Sequence, residues 1–272
     1  MKSLRSPSYS RDKKGSSSHY LSLISGLTVL VIAAAWFAAS HYGWINTLFF
    51  PSPKALFLAF KQLWQQGYLD ISLGQHVTAS LLRVLVALAI ALVTAIPLGI
   101  LMGLTPVIRA IFTPILDFYR PIPPLAYLPL IVIWLGIGEV SKILLIFLAI
   151  FAPLTISTAE AVRRIEPHRV QAVRCLGASS WQVMKWVVLP SILPELLTGI
   201  RIALGVGWST LVAAELIAAN RGLGFMVQSA AQFLSTDVVV AGILLIAAVA
   251  LVIELLLRQL QKRFARWSLY DN

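Results

Sequence analysis

The chain has 272 residues, of which 58% are hydrophobic and only 12% charged, with a mean hydropathy of +0.84. A soluble domain carries about twice that share of charge. The apolar residues here gather into long blocks, which points to an all-α integral membrane protein. The net charge of +11 would suit nucleic acid, but in a membrane protein basic residues hold loops on the cytoplasmic side, so no nucleic-acid partner is expected.

In chain order, residues 1–19 form a polar, basic tail, expected to be disordered and cytoplasmic. The remainder, 20–272, is expected to be one transmembrane domain with its core at 77–260. The first charge-free run, Leu21–Ala39, is long enough to cross as a helix and is longer than a signal-peptide core, so it reads as a retained anchor. Phe57, Phe60, Leu63 and Trp64 recur at helical spacing, which suggests a helix lying in the interface. The second span is about Val77–Leu104, with Arg83 near its start and a small-xxx-small pair, Gly99 and Gly103, suited to close helix packing. Thr105–Pro124 reads as a loop carrying Arg109, Asp117 and Arg120. The third span is short, about Leu125–Ile137, and blurred by prolines. The fourth is Ser141–Thr158, with Pro153 inside; the fifth, Leu196–Ala219; the sixth, Val238–Leu257. Glu139 and Lys142 read as a surface pair worth little.

Six spans put both termini on one side. Sixteen basic residues fall on that side: Lys2, Arg5, Arg11, Lys13 and Lys14, then Arg109 and Arg120, then five in the 160–194 loop, then Arg258, Lys262, Arg263 and Arg266. Five fall on the other: Lys54, Lys61, Arg83, Lys142 and Arg221. The positive-inside asymmetry places both termini and the 160–194 loop in the cytoplasm.

The 160–194 loop is too long and too patterned for a plain connector. Pro167 suits the first turn of a short helix running to about Leu176, and Gly177 suits its left-handed cap. Ser179 with Gln182 reads as a capping box opening a second short helix, with Trp181, Met184 and Val188 on one face. Pro190 is expected to end it and Pro194 to start the next span. A knob with Ala178, Ser179 and Ser180 at its joint can enter a cleft on a partner, or the hairpin can lie on lipid head groups. The physics alone leaves the two readings level.

The spacing in this loop resembles the "EAA" signature of bacterial ABC-importer permeases: E-A-A, three residues, G, nine residues, I-x-L-P. The matching positions are Gln171, Ala172, Val173, Gly177, Val187, Leu189 and Pro190. Gln171 replaces the usual acid, Val173 an alanine and Val187 an isoleucine. From about residue 45 to 267 the chain is similar to permeases of the taurine, alkanesulfonate, nitrate and bicarbonate importer family. The resemblance implies a type I ABC importer permease fold with about six transmembrane helices in a bacterial inner membrane. It also implies a homodimer of two permease copies, two ATPase subunits docked on the loop, and a periplasmic binding protein that delivers substrate. The docking residues it implies are Gln171, Ala172, Gly177, Ala178, Ser179, Ser180, Leu189 and Pro190.

No G-x-x-x-x-G-K-[ST] phosphate loop occurs, so ATP and its magnesium are expected on the partner subunits and no cofactor on this chain. His19, His41, His76 and His168 share no ligand spacing, so no metal site is expected. Charges within spans are costly in lipid and mark candidate sites. Arg201 and Glu215 lie 14 residues apart in the fifth span, roughly 21 Å along a helix axis, too far to pair. Either Ser209, Thr210 and Glu215 line a substrate path, or Arg201 and Glu215 snorkel to opposite surfaces. The rival class, a stand-alone secondary transporter or channel, predicts inverted repeats and midplane charges, and no repeat is evident.

Overall fold

A computed structural model describes residues 14–43, 46 and 49–264. Most of the basic tail lies outside them. The described residues are almost wholly helical. They fall into two units, residues 1–58 and 59–272. The first unit contains α1 (Lys14–His41), a 28-residue helix covering the expected first span.

The second unit is organised around three long helices. α2 (Pro53–Gln66) leads into it, and here the expected common face splits: Leu63 is buried with Ala59, whereas Phe57 and Trp64 point outward. α3 (Leu73–Leu104) opens on a capping box between Ser72 and Gln75 and stops at Thr105, ahead of Pro106. α6 (Glu139–Arg163) is the central helix. Gly99 and Gly103 of α3 lie so close to it that an added Cβ would stand 2.6 Å from Thr158 Cβ and 2.5 Å from Val162 Cβ, so the small-xxx-small pair is a packing seam. α9 (Leu189–Ala218) packs on the opposite side of α6, with Gly207 seated against Ile150. α10 (Leu223–Gln232) and α11 (Thr236–Phe264) complete the unit, and most of α11 is left uncovered.

The expected loop at Thr105–Pro124 is instead mostly helix. α4 (Pro106–Tyr119) is followed by a 3-10 turn (Pro124–Tyr127) and α5 (Leu128–Leu135), and the two halves meet at an elbow of 86°. The prolines at 121, 123 and 124 supply no amide hydrogen, which breaks the helix there. The third span is therefore a bent pair beginning at Pro106. Arg120, counted above with a cytoplasmic loop, sits at the elbow. Among the described residues four helices are long and apolar enough to cross a bilayer, and the bent pair makes a fifth; α1, whose apolar part is the shorter Gly26–Ser40, stands where the first span is expected.

Candidate functional site

Two regions of the bundle carry its polar chemistry. One is the 160–194 segment, at the end where α3 and α6 finish and α9 begins. α7 (Pro167–Cys175) ends in a Schellman motif: Gly177, at φ +85°, donates to the Arg174 carbonyl at 2.9 Å, and Ala178 donates to Val173 at 3.3 Å. The Ser179 N–H then donates to Gln182 Oε1 at 2.7 Å, and the Gln182 N–H donates to Ser179 Oγ at 3.3 Å, closing the expected capping box on α8 (Ser180–Val183).

Beyond α8 the structure departs from the expectation. Pro190 does not end the helix. Met184–Val188 form a π turn, in which the Leu189 N–H reaches back to the Met184 carbonyl, and the chain runs unbroken into α9. Pro190 has no N–H for an ordinary helical bond, and the wider turn absorbs the irregularity. Pro190 thus stands in the first turn of α9, and Pro194 lies inside it. The inward face also differs. Val183, Val188 and Ile192 are buried with Ile100, Ala161 and Val162, whereas Trp181 turns out to 71% exposure. The hairpin is thereby anchored on the bundle end, with Leu176 at its joint 87% exposed and Trp186 of the π turn 69% exposed. Gln171, Ala172, Gly177, Ser179, Ser180 and Leu189 are exposed, while Ala178 and Pro190 are half-buried. Lys185 lies over the Trp186 ring at 5.1 Å.

The second region, at the opposite end, was not anticipated. Arg83, 2% exposed, extends a fork to two acids. Its Nε and Nη2 donate to both carboxylate oxygens of Glu139 at 2.6 and 2.8 Å, and its Nη1 donates to Glu215 at 2.5 Å and to the Arg221 carbonyl at 2.8 Å. Glu215, 1% exposed, also accepts from Ser80 Oγ at 2.8 Å and from the Gly224 N–H at 2.8 Å. Ser80 in turn accepts from the Leu223 N–H at 2.9 Å, and Lys142 donates to Glu139 at 2.9 Å. His76 Nδ1 meets the backbone of Gly222, 3.0 Å from its carbonyl oxygen. Gly222 takes φ +133°, and a Cβ there would strike the Glu215 carboxylate. The cluster ties the starts of α3, α6 and α10 to the end of α9.

These contacts correct three expectations. Glu139 and Lys142 are not an isolated surface pair, since Lys142 is 3% exposed and Glu139 grips Arg83. Glu215 does not snorkel, because it is enclosed by donors from α3 and α10. Arg201 does not simply reach for the interface: it pairs with Glu254 of α11, and its Nη1 donates to Gln261 at 2.9 Å. The signals were available. Arg83 and Glu254 each lie inside a long apolar run, and a charge there demands a partner. Ser209, Thr210 and Glu215 are not brought to one surface. Ser209 is exposed and bonds back to Gly205, while Thr210 is buried and bonds back to Val206. Among the described residues no group of His, Cys, Asp and Glu is placed to hold a metal ion.

The profile of the family described as "Binding-protein-dependent transport system inner membrane component" matches residues 95–266, which include the hairpin, the elbow and most of the long helices. The chain belongs to this family. The permease is 54% identical over 241 residues to the taurine transport system permease protein TauC of Escherichia coli (strain K12), covering 88% of each chain. It is 34% identical to a putative aliphatic sulfonates transport permease protein of Bacillus subtilis (strain 168), over 87% of this chain and 84% of that one. It is 33% identical to the bicarbonate transport system permease protein CmpB of Synechococcus elongatus, over 80% of each. Its fold resembles a chain of the inward-facing MetNI methionine ABC transporter, with a TM-score of 0.60 at 21% identity, over 71% of the permease and 95% of that chain. The permease is thus a multi-pass inner-membrane component of an ABC importer, and its family works with separate ATPase and substrate-binding components.

Proposed function

We propose that the permease carries taurine or a close sulfonate inward as one of two copies, with two ATPase subunits docked on the 160–194 hairpins and a periplasmic protein delivering substrate. The observation that carries the substrate is the 54% identity to a taurine permease over 88% of both chains, against 33–34% for the aliphatic sulfonate and bicarbonate relatives. The hairpin supports the docking: an anchored base, exposed apolar side chains at Leu176, Trp181 and Trp186, and a surrounding of arginines. Both termini and the hairpin lie in the cytoplasm by the charge asymmetry. ATP and magnesium bind the partners, and this chain holds no cofactor.

ATP-driven uptake in proteoliposomes containing the full importer tests the substrate. Taurine is expected to accumulate. Accumulation of nitrate or bicarbonate with no taurine overturns the reading. For docking, Gly177→Val forces a β-branched residue into a left-handed conformation and is expected to abolish ATPase recruitment while membrane insertion persists. Full recovery of the ATPase with that variant removes the hairpin from the role.

A further inference from the structure

The elbow of the bent span encloses a cavity. α4 starts beside the end of α3, and α5 finishes beside the start of α6, so the elbow falls halfway along α6. Tyr119 donates its hydroxyl to the Leu148 carbonyl, which pins the elbow against the middle of that helix. The space between Tyr119, Arg120 and Tyr127 on one side and Ala149, Pro153 and Val206 on the other is about 250 Å3.

Three features of its wall are polar. Arg120 is exposed and, among the described residues, has no ion-pair or hydrogen-bond partner for its guanidinium, whereas Arg83 and Arg201, which lie within the long helices, are paired. A cation at this depth is costly unless it meets an anion or water. The Tyr127 hydroxyl is buried without a partner, and such orphans call for an explanation. Pro153 stands inside α6 and has no N–H to offer the carbonyl of Ala149, four residues before it, and both residues line the wall. The rest of the wall is apolar: Ile122, Leu148, Ala152, Ile202.

We infer that this elbow cavity is a transient subsite for a small sulfonate zwitterion, with Arg120 holding the sulfonate and the Ala149 carbonyl accepting from the ammonium. The inference rests on the substrate reading above and goes beyond it by placing a selective step within the membrane part. A cation, a hydroxyl donor and a carbonyl around a short apolar wall match an anion and a cation joined by two methylenes. Asp117, Glu160, Arg109 and Arg163 line the adjoining pocket with Arg120, toward the hairpin end, so a released substrate would pass from the elbow into a hydrated, charged mouth. A subsite of this kind must be weak, since tight binding would trap the cargo.

The test uses the permease–ATPase complex in nanodiscs, without binding protein, titrated with taurine and with ethanesulfonate, which lacks the ammonium. Binding is read by saturation-transfer NMR, with ATP-driven taurine uptake by the full importer measured alongside. Wild type is expected to bind taurine better than ethanesulfonate. Arg120→Gln should weaken both by about tenfold or more, the worth of a charge-assisted hydrogen bond, and Arg120→Lys should recover part. Pro153→Ala restores an amide donor to Ala149, so it should erase the preference for taurine while ethanesulfonate binding persists. Arg120 is exposed, so Arg120→Gln keeps the test alive if Pro153→Ala fails to assemble. Wild-type affinities in Arg120→Gln, or an intact taurine preference in an assembled Pro153→Ala complex, overturn the inference. Taurine uptake with no taurine binding to the nanodisc complex also overturns it and leaves the substrate reading standing. Loss of both in wild type removes the substrate reading itself.

Discussion

The two ends of the permease are held by different physics. The hairpin end is built from neighbours in sequence: a glycine cap, a capping box and a few valines seated on α3 and α6. The opposite end is built from charges on α3, α6 and α9, of which Arg83, Lys142 and Glu215 are buried, together with backbone donors of α10. A structure whose stabilising contacts are local can present a firm exposed tip and still bend at its π turn. One whose contacts are a buried fork of Arg83 on two carboxylates has no partial version, because removing one member strands the others. The hairpin end is thus suited to receive a partner and the other end to hold the bundle shut.

Substitutions can sharpen that contrast. Arg83→Leu is expected to have the largest effect, about 3–5 kcal/mol of lost stability, because it leaves Glu215 charged and enclosed. Thermal unfolding of the purified protein in detergent measures it. Adding Glu215→Leu to Arg83→Leu should restore much of the loss, and a double variant worse than the single would argue against a charge-locked end.

Gly222→Ala comes next. Its backbone lies in a region nearly restricted to glycine, at a cost of about 1–3 kcal/mol, and the new methyl would also displace the Glu215 carboxylate. Gly177→Ala needs only the positive φ, since nothing lies within 4 Å of its Cβ position, so it should cost less than Gly222→Ala in the same melting assay. Equal losses at the two glycines would erase the proposed difference between the ends.

Ser179→Ala removes one side-chain cap and should cost about 1 kcal/mol, confined to the hairpin. Hydrogen exchange at the amides of residues 180–183 reads it directly, and faster exchange spreading into α3 would show that the hairpin is not a local structure. Trp181→Ala is expected to change the melting behaviour least, within about 0.5 kcal/mol, because the ring is exposed. Its effect belongs in co-purification of the ATPase, which should fall. A marked loss of stability instead would mean that the ring packs on the permease itself.

Much of the hairpin is legible in the sequence, because caps are hydrogen bonds between residues at most five apart and depend on side chains adjacent in the chain. Gly177, Ser179 and Gln182 could be read one after another. The π turn could not. It reconciles Pro190 with a helix continued by burial of Val183, Val188 and Ile192, and that burial depends on where α3 and α6 end. The elbow is not legible for the related reason that prolines mark a break without saying whether helix resumes on both sides. The Arg83 cluster was half-legible: an arginine in an apolar run announces that it needs an acid, yet Glu139, Glu215 and Glu254 were all candidates by composition.

Class, approximate spans, charge asymmetry and the form of the hairpin were therefore set by the chain alone, since each rests on hydrophobic run length or on contacts a few residues apart. The bent third span and the pairing of Arg83 with Glu215 and Glu139, and of Arg201 with Glu254, were decided only by tertiary packing. So was the cavity lined by Arg120 and Tyr127, whose side-chain polar groups have no partner among the described residues, and by Ala149. Apolar length says that a segment enters the membrane. Only the packing of α3, α6 and α9, with their glycines at the seams, determines which charges meet there and which are left open.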